Sequence, residues 1–249
     1  QEVVITNTGG SRGFVVTGDV AGTVAISGVK VQGGTEAVSV DGSGQETDLG
    51  TLSVTNSMFV GQQNAGLVIG LNNPASSLAT LTVSGVAFDQ SAAGLSANAD
   101  GQSAAGIMMF GFDGRATISN VQVMGGASTA DTSPWYGIHI QGAENKQLEG
   151  TAPYLPNHEW AGDGPVLSGG ETGGRIALSN VTVTGGFAKS GIAVYNYSSI
   201  VGISGSGVDL TKAVSGWGQV LTVDGVEAGY NISGWGLNLG DAQFTKVGG

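Results

Sequence analysis

One short phrase, repeated along the chain, constrains the fold more than any other feature of the sequence. It reads ISNVQV at residues 118–123 and returns almost unchanged as LSNVTV at residues 178–183. Looser copies begin at Ile5, Ile26, Val54, Val83, Ile203 and Ile232. Self-similarity at intervals of a few tens of residues is typical of solenoids, propellers and other repeat arrays.

A second phrase lies between the copies of the first. It is a small residue, usually Gly, followed by apolar residues at alternating positions, which is the pattern of a short β-strand. The copies are GFVV at 13–16, AVSV at 37–40, GLVI at 66–69, GIMM at 106–109, GIHI at 137–140, GIAV at 191–194 and, as the weakest, GQVL at 218–221. Two or three short strands per repeat, separated by Gly, Ser and Asn turns, predict one coil of a parallel β-helix.

The repeats therefore predict an all-β chain, a single right-handed parallel β-helix of about seven coils that extends over residues 1–249. Successive coils stack about 4.8 Å apart through main-chain hydrogen bonds, and their inward aliphatic side chains bury one another. The Asn at the third position of the first phrase is expected at a bend, because Asn tolerates a positive φ and bonds to its local backbone. Stacked Asn or Ser side chains are expected at that corner.

Charge and composition exclude several classes of function. The chain has 19 acidic and 8 basic residues, a net charge of −11, whereas nucleic-acid binding needs clustered Lys and Arg. No apolar run is long enough to insert in a membrane. Cys is absent, which excludes thiolate metal sites. Only 11% of residues are charged, and this composition suits an extracellular or bacterial cell-surface protein.

Spacing between the two phrases locates three insertions, at about residues 89–105, 125–135 and 142–173. In a solenoid, inserted residues project as loops from the coil that carries them. All three adjoin the two central coils, so they predict a trough whose floor is the β-sheet and whose walls are the loops.

Side-chain alternation then predicts which residues line the floor. If Ile107 and Met109 point inward, Met108 and Phe110 point outward, and the aligned positions on the next two coils do the same. Exposed aromatic side chains on a polar solenoid are expected either to stack on sugar rings or to lie under a lid formed by the long insertion. The candidate ligand-binding residues are Met108, Phe110, Trp135, Tyr136, His139, Gln141, Tyr195, Tyr197 and Trp160.

The long insertion supplies the candidate walls. It carries several carboxylates, and both histidines of the chain lie at this locus, which suits general acid–base chemistry. The candidate catalytic residues are Glu149, Glu159, Asp163, His139 and His158. The same oxygen-rich segment is a possible Ca²⁺ site formed by Glu144, Glu149, Glu159 and Asp163. A solvated acidic loop without a function is the alternative, and no other cofactor is expected.

The repeated coil resembles the right-handed parallel β-helix superfamily of pectate-lyase-like enzymes and adhesin-like solenoids, over nearly all of the chain. The resemblance implies the fold but carries little about function. Epimerase-type Asp-Pro-His-Asp and polygalacturonase-type Gly-His-Gly runs are absent from the sequence, and only GRIA at 174–177 faintly echoes the polygalacturonase Arg-Ile-Lys.

These observations favour an exported or cell-surface module with a structural or adhesive role that contacts glycan through the central trough. The alternative is an enzyme, a hydrolase or lyase that cleaves a neutral polysaccharide with the carboxylates of the long loop. A further alternative is a self-assembling extracellular filament subunit, because neither end of the sequence contains an evident capping helix. Such ends predict either flanking domains or end-to-end contact with copies of the chain.

Overall fold

The computed structural model describes residues 3–41, 46–71, 76–91, 105–112, 114–130, 133–142, 174–195, 200–218, 220–223, 226–227 and 237–238. Within these residues the chain forms strands and turns and no helix. The strands are β1 (Val3–Thr6), β2 (Arg12–Val16), β3 (Val20–Ser27), β4 (Val29–Gln32), β5 (Glu36–Asp41), β6 (Asp48–Thr55), β7 (Met58–Val60), β8 (Ala65–Gly70), β9 (Ser77–Ser84), β10 (Ala87–Asp89), β11 (Ala105–Phe112), β12 (Arg115–Met124), β13 (Tyr136–Gly142), β14 (Gly174–Phe187), β15 (Ser190–Tyr195), β16 (Ile200–Ser206), β17 (Asp209–Ser215), β18 (Leu221–Val223), β19 (Val226–Glu227) and β20 (Leu237–Asn238).

The described strands pair into two sheets. A sheet of twelve strands contains the order β1-β4-β7-β10-β12-β14-β16-β20, with β3, β6, β9 and β17 pairing beside this path. A sheet of eight strands has the order β2-β5-β8-β11-β13-β15-β18-β19. Among these strand pairs, β18–β19 is antiparallel and the others are parallel. The prediction of an all-β chain built from parallel strands is confirmed.

The larger sheet consists of two stacks of strands that meet at a sharp corner. Strand β9 pairs with the first half of β12, and β10 pairs with its second half. Between the two halves lies Asn120, with a φ of 52°, and Asn56 and Asn180 have φ of 48° and 51° at the equivalent corners. Asn is one of the few non-glycine residues that adopt this left-handed conformation routinely. The predicted Asn corner is therefore confirmed.

Side chains at this corner also form the predicted ladder. The Asn180 side-chain amide donates to Asn120 Oδ1 at 3.2 Å. One position earlier, the Thr55 hydroxyl donates to Ser27 Oγ at 2.9 Å. These bonds run from layer to layer, so they reinforce the same stacking that the main chain establishes.

Strands of the eight-stranded sheet contribute the third stack and one wall of the main core. Ile107 of β11 is aligned with Leu67 of β8 and Ile138 of β13, and all three are fully buried. They belong to one continuous apolar cluster that extends from Ile26 to Leu221. Each buried aliphatic side chain contributes about 1.5–3 kcal/mol relative to exposure, so successive layers stabilise one another.

The small residue that opens the second phrase is explained by packing. A Cβ atom on Gly66 would lie 2.3 Å from Phe88 Cδ1, and one on Gly106 would lie 2.8 Å from Val123 Cγ1. Real Cβ atoms do not approach other atoms so closely. These glycines leave the room that the large side chains of the neighbouring stack occupy.

The three predicted insertions fall on connections between strands. The first lies between β10 and β11, and its residues 92–104 are outside the described part of the chain. The second follows β12 and is described except at 131–132, with an isolated antiparallel bridge between Gly126 and Gly186. The third lies between β13 and β14, and its residues 143–173 are outside the described part.

Candidate functional site

The central strands of the eight-stranded sheet align the predicted floor residues as expected. Met108 of β11 is in register with His139 of β13, and His139 is in register with Ala193 of β15. Phe110 is likewise aligned with Gln141, which is aligned with Tyr195. The predicted rows across three layers are therefore confirmed at the level of the backbone.

Of the two alternatives for this floor, the open platform is wrong for three of its residues, which are covered. The exposed fraction is 1% for Met108, 5% for Phe110 and 0% for His139. The Phe110 ring meets the His139 ring edge-on with centroids 5.3 Å apart, and Tyr136 lies 4.6 Å from His139. Met108, Phe110 and Tyr136 form a second apolar cluster, separate from the main core, with Ala65 and three further residues, Val68, Ala105 and Ala193.

This result has a simple physical reason. Side-chain alternation fixes which side of a strand a residue is on, but it does not fix whether another part of the chain covers that side. The outer face of these strands is a buried apolar layer, so it is not an open platform for a sugar ring. The sheet is instead packed on both faces at its centre.

Most residues predicted to form the walls of the trough lie outside the described part of the chain. For Gln141 and Tyr195 the backbone is described and the side chain is not. The residues outside the described part of the chain are Glu144, Glu149, His158, Glu159, Trp160, Asp163 and Tyr197. Their catalytic, ligand-binding and Ca²⁺-binding roles stay predictions. In the part that is described, no group of three or more His, Asp or Glu side chains is placed to hold a metal ion.

A surface cluster next to the buried layer has the properties expected of a binding site. The Lys189 ammonium lies 3.6 Å from the centre of the Trp135 ring and 5.2 Å from that of Trp217. Tyr136, which is fully buried beneath, lies 5.8 Å from the same ammonium. Trp217 is 44% exposed, and Trp135 and Lys189 are half-buried. Trp135, Lys189 and Trp217 are called the indole–lysine cluster below.

Backbone hydrogen bonds place Trp135 and Lys189 side by side on adjacent layers. The Lys189 amide donates to the Trp135 carbonyl at 3.1 Å, and the Ser190 amide donates to the same carbonyl at 3.0 Å. Both residues directly precede a strand of the eight-stranded sheet, β13 in one case and β15 in the other. Their side chains therefore leave the sheet at the same corner.

Trp217 comes from the next layer, in the turn that follows β17. The Gly216 amide donates to the Phe187 carbonyl at 2.9 Å, and the Trp217 amide donates to Ser215 Oγ at 3.1 Å. The Ser215 hydroxyl in turn donates to the Lys189 carbonyl. A Cβ on Gly216 would lie 2.3 Å from the Ala188 carbonyl oxygen, so glycine is needed for this close approach.

The cluster combines two kinds of recognition chemistry. An indole presents a large, flat, apolar face together with one N–H donor, which suits the apolar face of a sugar ring. A cation over an indole is attracted to the ring by about 0.5–1 kcal/mol at an exposed site. The Lys189 ammonium therefore contributes weakly to the arrangement of the two indoles.

Sequence reasoning found Trp135 and Tyr136 but missed Lys189 and Trp217. A partial signal was present, because Trp135 and Lys189 each stand two residues before a copy of the second phrase, at 137–140 and 191–194. Residues at matching places in a repeat lie in one column of the stack, so an indole and a basic residue at that place predict a contact between them. Trp217 gives no such signal, because it directly precedes the weakest copy of the phrase, at 218–221.

A scan against protein-family models, a search of curated proteins and a search of solved structures each gave no match to this chain. Function must therefore be inferred from the residues of the site. Among the residues that the structure describes, no helix has the length and apolar character needed to cross a membrane.

Proposed function

We propose that this chain is a single right-handed parallel β-helix that acts as a non-catalytic structural or adhesive module outside the cell. It contacts glycan through the indole–lysine cluster, which lies beside the central trough. The single observation that carries the proposal is that two indoles from different layers of the stack meet at the surface around one ammonium group.

Strand order supports the β-helix. Seven parallel strands follow one another in the eight-stranded sheet of the described part, from β2 to β18, in keeping with about seven coils. Each passage of the chain adds one strand to each of three stacks, as β3, β4 and β5 do and then β6, β7 and β8. Crossovers between parallel strands are right-handed in almost all proteins, which supports the handedness. The repeated coil resembles that of the pectate-lyase-like and adhesin-like solenoids.

Burial of His139 counts against one of the candidate catalytic residues. His139, a candidate acid–base residue, is fully buried and packed between Phe110 and Tyr136. A general acid or base must come within hydrogen-bonding reach of its substrate. The enzyme alternative then depends on Glu149, Glu159 and other residues outside the described part, and it stays a prediction. The filament alternative stays one as well.

The experiment is retention on insoluble polysaccharides. Wild type, Trp217→Ala and Val214→Ala are incubated with cellulose, chitin, xylan and mannan, and the bound fraction is measured as a function of protein concentration. Val214 is the matched control because it is on the neighbouring strand β17 and has the same 44% exposure as Trp217.

The expected result is that wild type and Val214→Ala bind one polysaccharide equally, while Trp217→Ala binds at least about tenfold more weakly. Truncating an aromatic anchor at the centre of an interface typically costs about 2 kcal/mol or more, and each 1.4 kcal/mol is about tenfold in affinity. Equal binding by all three proteins, or no retention on any polysaccharide, would show that the proposal is wrong.

A further inference from the structure

One outer side of the stack has a repeating composition. Strands β3, β6 and β9 and the first half of β12 pair side by side, parallel and in register. Their inward side chains, such as Leu52, Leu81 and Ile118, are fully buried in the main core. The hydroxyl face, as it is called below, consists of the alternate, outward side chains of residues 23–27, 51–55, 80–84 and 115–119. All of them are at least partly exposed, and all except Ala25 and Arg115 are Ser or Thr.

The hydroxyl groups of this face lie on a rectangular grid. Across the layers, Ser53 is aligned with Thr82 and Thr82 with Thr117, and adjacent strands lie about 4.8 Å apart. Along each strand, successive outward residues are about 6.6 Å apart, because a parallel strand rises about 3.3 Å per residue. Strand pairing sets one spacing and the pleat sets the other, and both repeat over these residues from β3 to β12.

The middle row of the grid presents its hydroxyls to the outside. In the row next to the Asn corner, hydroxyls bond to one another across layers, as Thr55 does to Ser27 at 2.9 Å. In the middle row, the hydroxyls of Ser53, Thr82 and Thr117 bond to no other residue of the described part of the chain. A hydroxyl has one donor and two acceptor sites, so this row offers evenly spaced donors and acceptors to whatever lies against it.

The hydroxyl face differs from the other outer sides of the described strands. On the neighbouring stack, the aligned outward residues Val60, Asp89 and Met124 mix apolar and charged side chains, and Lys30 precedes them in the first layers. Charged groups hold their own hydration water strongly, which disturbs any regular arrangement of water. The outer side of the eight-stranded sheet is a buried apolar layer at its centre. The hydroxyl face is regular, and its charged residue, Arg115, stands at one edge.

We propose that the hydroxyl face binds ice, a function that does not depend on the glycan contact proposed above. The oxygen atoms of an ice crystal stand in straight rows, and on its prism face two perpendicular repeats are similar in length to the two spacings of the grid. Each oxygen in ice both donates and accepts hydrogen bonds, as a hydroxyl group does. A Ser or Thr hydroxyl on the grid therefore takes the place of a water molecule in the outermost layer of the crystal.

Regularity is what favours ice over liquid water. Exchanging one water partner of a hydroxyl for another changes the free energy little, so a single Ser or Thr does not distinguish the two. An array that fits one lattice engages all its members together, and the crystal alone holds water molecules at those places. The methyl groups of Thr51, Thr80 and Thr82 add apolar surface between the hydroxyls, and this surface gains by leaving liquid water.

The test is thermal hysteresis of the full chain, the gap between the melting and freezing temperatures of a solution that holds one small ice crystal. Wild type is expected to show a gap that grows with protein concentration. Thr82→Tyr and Thr117→Tyr should each remove it, because a bulky ring in the middle row keeps the neighbouring hydroxyls away from the crystal. The matched control is Gln122→Tyr, which should keep the gap, since Gln122 is exposed on the same strand as Thr117 but lies beyond the Asn120 corner.

Urea midpoints equal to that of wild type show that a lost gap is not caused by unfolding. The inference is overturned if wild type shows no gap, if both Thr variants keep it, or if Gln122→Tyr loses it as well. It is equally overturned if the face binds crystalline sugar instead, seen as retention on crystalline cellulose or chitin that Thr82→Tyr abolishes, without a gap. Trp217→Ala should leave the gap unchanged, so a failure of ice binding and a failure of the glycan contact are distinguishable.

Discussion

Replacing Gly66 by Ala is expected to destabilise the fold by about 1–3 kcal/mol, the usual cost of overpacking a core. A Cβ at this position would lie 2.3 Å from Phe88 Cδ1 and 2.9 Å from the Gly106 carbonyl oxygen. Phe88 is fully buried and packs edge-on against Phe59, with ring centroids 5.5 Å apart, so it has little freedom to move away. For a chain of this size each kcal/mol lowers Tm by about 2–4 °C.

A double-mutant cycle assigns the cost to the clash. Phe88→Ala alone should cost about 3–5 kcal/mol through the cavity it leaves. In that background Gly66→Ala should cost less than in wild type, with a coupling energy of about 1 kcal/mol or more. Urea unfolding followed by circular dichroism measures all four free energies.

The control for this cycle is Gly22→Ala in β3, where a Cβ would meet no atom within 4 Å. That change should be neutral or stabilising by up to about 1 kcal/mol, because alanine restricts the unfolded chain. If Gly66→Ala costs as much in the Phe88→Ala protein as in wild type, steric exclusion by Phe88 is not the reason for glycine here.

Three further results are expected. Asn120→Ala should lower the free energy of unfolding by about 1–2 kcal/mol, since alanine is strained at a φ of 52°. Asn120→Gly loses the same hydrogen bond from Asn180 but avoids the strain, so it should cost less; equal urea midpoints for the two variants would contradict this. Gln62→Leu should cost about 1–3 kcal/mol in the same assay, because the two N–H groups of the buried Gln62 amide are shared among three backbone carbonyls at 3.1–3.2 Å. An unchanged midpoint would show that these bonds add nothing. The Asp209 pKa is lowered from its ordinary 3.8 mainly by the side-chain hydrogen bond from Thr211, helped by the Thr211 amide. Because the Asp209 pKa is lower in the folded state than in the unfolded state, the ionised carboxylate stabilises the fold above pH 3.8, and this contribution is lost as the pH falls from 3.8 through the folded-state pKa. NMR titration of the Asp209 carboxyl should show its pKa rise in Thr211→Val, and an unchanged pKa would contradict this.

Repetition made much of the fold predictable. The third residue of the first phrase is Asn120 in one copy and Asn180 in another, and a residue type that tolerates positive φ at a fixed place in each repeat predicts a corner. Alternation in the second phrase predicted that Met108 lies beside His139. Both inferences use local information, which every copy of a repeat provides again.

Exposure was not predictable in the same way. Phe110 and His139 lie on the side of the strand opposite the main core, as their parity requires, yet both are buried. Whether the outer face of a sheet is covered depends on residues distant in the sequence. Lys189 and Trp217 lie outside the repeated phrases, and of the two only Lys189 shares with Trp135 the place two residues before one.

The residues just before the second phrase differ between the candidate site and the rest of the fold. The corner that precedes the second phrase holds Ser11 and Thr35 in the first layers, where the Thr35 amide donates to the Ser11 carbonyl at 2.9 Å. In later layers the same corner holds Trp135 and Lys189, joined by the equivalent bond from the Lys189 amide to the Trp135 carbonyl at 3.1 Å. The backbone contact that builds the stack is unchanged, and small polar side chains satisfy it. Large aromatic and basic side chains at that place are not required by stacking, so their presence is best explained by what they contact outside the fold.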